Sequence, residues 1–143
     1  MMMGETNYLQ VSQLRRGLES EMARLAASRI LPRQTAKLAD LVNQMRAEPD
    51  AEKGSLLDQK FHILLCEIAG NKLIYALFMA MLSTINDFIT IMYGRIVQDD
   101  AQAEELYTAH EKLVDALSRN DEDGAVRAIQ YHFEVVDASI KRS

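Results

Sequence analysis

The sequence predicts an all-α protein, an antiparallel bundle of about six helices, and three observations lead there. Alanine, leucine and methionine are plentiful, and the 143 residues hold only two prolines and six glycines, so long stretches carry no helix breaker. Apolar residues recur at intervals of three and four through most of the chain. No alternating strand pattern, internal repeat or low-complexity segment interrupts them. Short connections between the periodic stretches favour antiparallel neighbours.

Residues 1–9 read as an N-terminal tail and 10–143 as one helical domain. The first helix is expected from about Leu9 to Arg29, on the stripe Val11, Leu14, Leu18, Met22, Leu25, Ala26 and Ile30, with Arg15, Arg16, Glu19 and Glu21 interleaved. Pro32 ends it, because the residue before a proline avoids the α region, and opens the second helix, about Pro32 to Ala47. Glu48-Pro49-Asp50 is a break whose aspartate suits the N-cap of a third helix, Ala51 to Ala69, closed by Gly70-Asn71. The fourth, Lys72 to about Ile96, is the longest apolar run and reads as central and shielded on most sides. Ser83, Thr84, Asn86 and Asp87 interrupt it and would be costly in lipid, so it reads as a buried helix of a soluble protein rather than a membrane span. The fifth is expected from Ala101 to Arg119 after a cap at Asp99 or Asp100, and the sixth from Glu122 to Ile140 after an Asn120-Asp121 turn.

The net charge of −5 gives the chain no general pull towards nucleic acid. A single cysteine, Cys66, forms no internal disulfide and fits a reducing compartment. No basic-then-apolar leader opens the chain, so a cytoplasmic location is expected.

The chemistry concentrates on three histidines. Asp58 and His62 stand four residues apart on one face of the third helix, beside the apolar stripe Leu57, Phe61, Leu64 and Ile68. His110 shares a seam with Leu106, Leu113 and Leu117, and His132 one with Val126, Ile129, Phe133, Val136 and Ile140. Any one buried histidine is ordinarily a hydrogen-bonded core residue, and Ser55-x-x-Asp58 also resembles a capping box. Together, three inward imidazoles and a carboxylate could supply a mononuclear site suited to zinc, nickel, iron or manganese. Spacing alone leaves both readings open.

Four motifs then point to a family. Arg15-Arg16-Gly17-Leu18-Glu19 followed by Ala23-Arg24-Leu25-Ala26-Ala27 resembles the opening helix of the FCD domain, the effector-binding domain of FadR-type GntR transcriptional regulators. Asp58, Phe61, His62 and Ala69-Gly70-Asn71 resemble its metal-bearing helix; His110, Leu113 and Ala116-Leu117 resemble the next motif, and Ala125, Ala128 and His132 the closing one. The resemblance runs from about Gln10 to Ile140. It implies metal ligands at Asp58, His62, His110 and His132, a divalent ion, zinc or nickel foremost, and a small carboxylate effector in the bundle. Arg15 is then the leading anion-binding candidate, with Arg95 weaker, and Asn86 and Asp87 as possible cavity-lining polars. In that family a winged helix-turn-helix precedes the domain, and the segment before Arg15 is too short to build one. The chain by itself is therefore expected not to bind DNA. A homodimer is also expected, since the fourth helix is apolar on more faces than one bundle needs. The competing readings are a mononuclear metalloenzyme, for which no spare general base stands out, and a plain interaction bundle with satisfied core histidines. Glu67 and Glu111, near the ligands in sequence, are expected to face solvent.

Overall fold

The computed structural model describes residues 4–142, which form six helices: α1 (Glu5–Arg29), α2 (Pro32–Ala47), α3 (Ala51–Ala69), α4 (Lys72–Val97), α5 (Asp100–Ser118) and α6 (Glu122–Arg142). Their boundaries follow local chemistry. Asp50 caps α3 through Oδ1, which accepts from the N–H groups of Glu52 and Lys53 at 2.9 and 3.2 Å. Ser55 therefore lies inside the helix, and the capping-box reading of Asp58 does not hold. Gly70 ends α3 in the left-handed region at φ 74°, and Asn71 immediately caps α4. Asp99 caps α5, and Asn120, at φ 52°, turns the chain into α6 while its Nδ2 donates to the Ala27 carbonyl at 2.8 Å.

Three features depart from the sequence expectation. Helix α1 starts at Glu5 instead of about Leu9, because Tyr8 is buried with its ring edge-on to Phe88, centroids 5.4 Å apart. Helices α1 and α2 do not pack on each other: Ile30 and Leu31 are extended ahead of Pro32, and α2 is carried onto α3 and α5. Helix α4 is peripheral and not shielded. One face, with Phe78, Leu82, Ile85, Ile89, Met92, Tyr93 and Ile96, is buried, while Leu73, Leu77 and Ile91 remain 70, 56 and 49 % exposed. By length and composition it is the one described helix apolar enough to cross a membrane.

The core joins α1, α3, α5 and α6 through fully buried Met22, Phe61, Leu65, Leu117, Ile129 and Phe133. Helix α1 packs along α6 and α3, and α5 along α6. That arrangement turns one polar face of each of these four helices towards a common centre.

Candidate metal centre

Asp58, His62, His110 and His132 converge there, all buried, with one potential ligand atom from each lying within 4.8 Å of the others. Four-residue spacing on α3 stacks Asp58 below His62, with Oδ1 3.3 Å from Nε2. The leucine seam of α5 directs His110 inward, and its Nε2 lies 2.7 Å from the same Asp58 oxygen. His132 enters from α6, its ring centroid 4.8 Å from that of His110 and 5.1 Å from that of His62. Phe61 and Phe133 stand edge-on to His110 and His132 and jacket the cluster in apolar surface.

Partners on the far side fix two of the rings. His110 Nδ1 donates to the Leu106 carbonyl at 2.8 Å, so Nε2 is the nitrogen aimed at the centre. His62 Nδ1 is bonded to the carboxylate of Glu19, which is completely buried and also accepts from Arg15 Nε at 2.8 Å. His62 Nε2, though close to Asp58, is not aligned for a hydrogen bond and has no other partner. His132 is the exception: both ring nitrogens are buried and neither is hydrogen-bonded.

The electrostatics match this division. Burial alone would pull His62 down, but the carboxylates of Glu19 and Asp58 outweigh it and raise its pKa to about 9. Burial, reinforced by the charges of His110 and His62, holds His132 well below the ordinary histidine value. Burial would raise Asp58, yet His62 and His110 bring it well below the usual carboxylate value.

The donor set fits a metal ion. Two ligands bonded at about 2.0–2.1 Å stand no more than about 4.2 Å apart, so a contraction of under about 1 Å brings all four donors into range. Imidazoles held by a carboxylate and a backbone carbonyl are the arrangement that orients metal-binding histidines. An ion would also give His132 the partner it lacks.

Of the anion-binding candidates, one reaches the centre. Arg15 is 7 % exposed, lies over the Phe133 ring, and borders a cavity of about 30 Å³ shared with Asp58 and His132. Arg95 is exposed at the end of α4 with its guanidinium 5.4 Å from the Tyr8 ring centre, and does not line that cavity. Asn86 and Asp87 are exposed on the outer side of α4, turned away from the cavity by the helical period that buries Ile85 and Ile89. Glu67 and Glu111 face solvent as expected, and Glu111 is taken up by Arg46 at 2.8 Å, so neither is a general base for metal-centred chemistry. Sequence reasoning gave Glu19 no role at the centre. Its signal was the buried series Ser12, Arg15, Glu19, Met22 and Ala26 at intervals of three and four, which sets a charged pair on the inner stripe.

Comparisons with known proteins agree with the motifs. The FCD domain family model matches residues 10–135. The HTH-type transcriptional repressor NanR of Escherichia coli (strain K12) is 33 % identical over 131 residues, covering 89 % of this chain and 48 % of the repressor. Its namesake from Cronobacter sakazakii is 31 % identical over 132 residues, with the same coverage. Among solved structures, Streptococcus agalactiae GntR superposes with a TM-score of 0.73 at 27 % identity, over 92 % of this chain and 58 % of that one. The chain thus spans about half the length of the curated relatives it matches. These relatives are transcriptional regulators, not enzymes.

Proposed function

Because the chain belongs to the FCD family, we propose that it is the ligand-sensing domain of a GntR-type transcriptional regulator, holding a divalent metal and a small organic acid in the bundle core. Asp58, His62, His110 and His132 would hold the metal, with zinc and nickel the best matches to three imidazoles and one carboxylate. The observation that carries the metal is His132, a buried imidazole with no partner for either nitrogen. A buried polar group left so costs about 1–3 kcal/mol, which an ion at the centre would offset.

When bound, the metal supplies a positive pole for an anionic ligand. The chain's own residues do the rest. Glu19 and the Leu106 carbonyl lock two imidazoles, Arg15 brings a fixed positive charge to the cavity, and the wall of Ile89, Met92, Ile96 and Val136 excludes water. Arg15 reads both elements, since its Nε holds the glutamate that orients His62. Ligand binding here bears on α1, α3, α5 and α6 together, and a ligand that favours one packing of these helices shifts their equilibrium.

In this reading DNA is contacted through a winged helix-turn-helix domain joined to the chain, and the regulator works in the cytoplasm. Two copies pair through the outer face of α4, where Leu73, Leu77 and Ile91 lie along one stripe. Charged substitution at Leu77 and Ile91 is expected to convert a dimer to monomer in sedimentation, and a wild-type chain that sediments as monomer at micromolar concentration removes the dimer.

The test of the sensing role is calorimetry with small carboxylates on the zinc-loaded chain, with metal content measured in parallel. The expected result is about one zinc per chain and carboxylate binding that Arg15→Ala abolishes while zinc is retained. Carboxylate binding that survives Arg15→Ala unchanged, or that is absent from the loaded wild type, overturns it.

A further inference from the structure

The metal centre is enclosed, and an ion needs a path to it. Asp58 is 6 % exposed and the three histidines between 1 and 4 %. Helices α3 and α5, which carry Asp58, His62 and His110, do not pack directly on each other, and α2 and α4 each bridge the gap between them. These two covers are fastened differently. On α2, Arg46 is forked onto Glu104 and Glu111 of α5 at 2.7–3.0 Å, with its guanidinium over the Tyr107 ring. Charge-assisted bonds of this forked kind fix geometry as well as add energy.

The cavity of about 30 Å³ beside Asp58 and His132 lies under α4, which closes it with Ile89, Met92, Tyr93 and Ile96. Three of these side chains are apolar and bring no directional bond across the gap. Tyr93 does. It is 4 % exposed, and its hydroxyl engages Tyr107 of α5 while the ring edge rests on the α3 backbone at Gly54. A methyl group at Gly54 would stand 2.7 Å from Tyr93 Oη and 2.8 Å from Cε1, so any side chain there displaces the ring. A glycine inside a helix weakens it relative to alanine, and Gly54 is the seat that this tyrosine requires. Gly17, inside α1, has only open space where a side chain would stand.

We propose that the second half of α4 is a gate over the metal centre, with Tyr93, seated on Gly54 and bonded to Tyr107, as its latch. This rests on the metal reading above and adds the route by which the ion enters and leaves. Tyr93 belongs to none of the four donors. Loosening it therefore changes how fast the ion exchanges, in both directions alike, and not how tightly the closed centre holds it.

The experiment is stopped-flow measurement of zinc uptake by the chelator-stripped chain and of zinc release to excess chelator. Tyr93→Phe, which removes one hydroxyl bond, is expected to speed both about three- to tenfold and leave Kd unchanged. Gly54→Ala, which unseats the ring, should speed both further, although alanine favours the helix. Two controls separate a gate from general loosening. Gly17→Ala meets nothing, and Val42→Ala opens a void under α2 at a residue 1 % exposed; neither should alter the rates. Unchanged rates in Tyr93→Phe, or a Gly54→Ala no faster than Gly17→Ala, overturn the gate and leave the metal reading standing. So does a Tyr93→Phe that weakens Kd through release alone, which would make Tyr93 a support for Asp58, or a Val42→Ala that accelerates exchange as much. A wild type that binds no zinc removes both.

Discussion

His110 and His132 face each other across the centre, ring centroids 4.8 Å apart and equally buried, yet they are held in opposite ways. On the α5 side, His110 has one nitrogen on the Leu106 carbonyl and the other on Asp58. On the α6 side, His132 has neither nitrogen engaged. The bland reading, a hydrogen-bonded core histidine, fully explains the first and fails for the second. A protein that needed only a packed core at this position would be served better by leucine, as the other seam positions are. His132 is therefore the residue whose presence asks for an ion.

Replacing each ring by leucine should break the symmetry between them most visibly. In the metal-free chain, His110→Leu strands the buried Asp58 carboxylate, while the Leu106 carbonyl keeps its helical backbone bond, and should destabilise by about 1–3 kcal/mol. His132→Leu removes two unpaired nitrogens and should be neutral or stabilising by up to a similar amount. Urea unfolding of the chelator-stripped proteins measures both, and shifts of the same sign would contradict the contrast.

Glu19→Gln sharpens the comparison from the other side, because it weakens the hold on His62 without touching any ligand atom. Loss of such a supporting carboxylate typically costs 10- to 100-fold in metal affinity, so about that reduction is expected in a competition titration with a chromogenic chelator. An unchanged affinity would make Glu19 a partner of Arg15 only.

The effect of pH is graded, a step at a time. In the metal-free chain His62 keeps its proton up to about pH 9, so an incoming metal must displace it. Affinity should rise about tenfold per pH unit up to about pH 9 and then level off, since deprotonation above that value costs the metal nothing. Titrations in buffers of different ionisation enthalpy should report about one proton released per metal on this account, and none would show His62 to be neutral beforehand.

The helices were legible because their punctuation is local. Pro32, Asp50, Gly70 and Asp99 act on their own backbone neighbours, and the structure keeps each at the expected boundary. The inward turn of His62, His110 and His132 was legible too, since helical period assigns a face. Period does not say what that face meets. Hence α4 looked central when its outer stripe is exposed, and Asn86 was expected in a cavity from which its helix turns it away. The pairing of Glu19 with His62 spans 43 residues and depends on α1 lying along α3, which no spacing within either helix encodes.

The most direct test is to add zinc to the chelator-stripped wild type and to His132→Leu while following the melting temperature. One zinc bound per chain at about a hundred times its dissociation constant should stabilise the wild type by about 2.7 kcal/mol, a rise of several degrees, and leave the variant unmoved. A wild type that takes up no zinc, or a variant that responds as fully as the wild type, would show that His132 is not there for a metal.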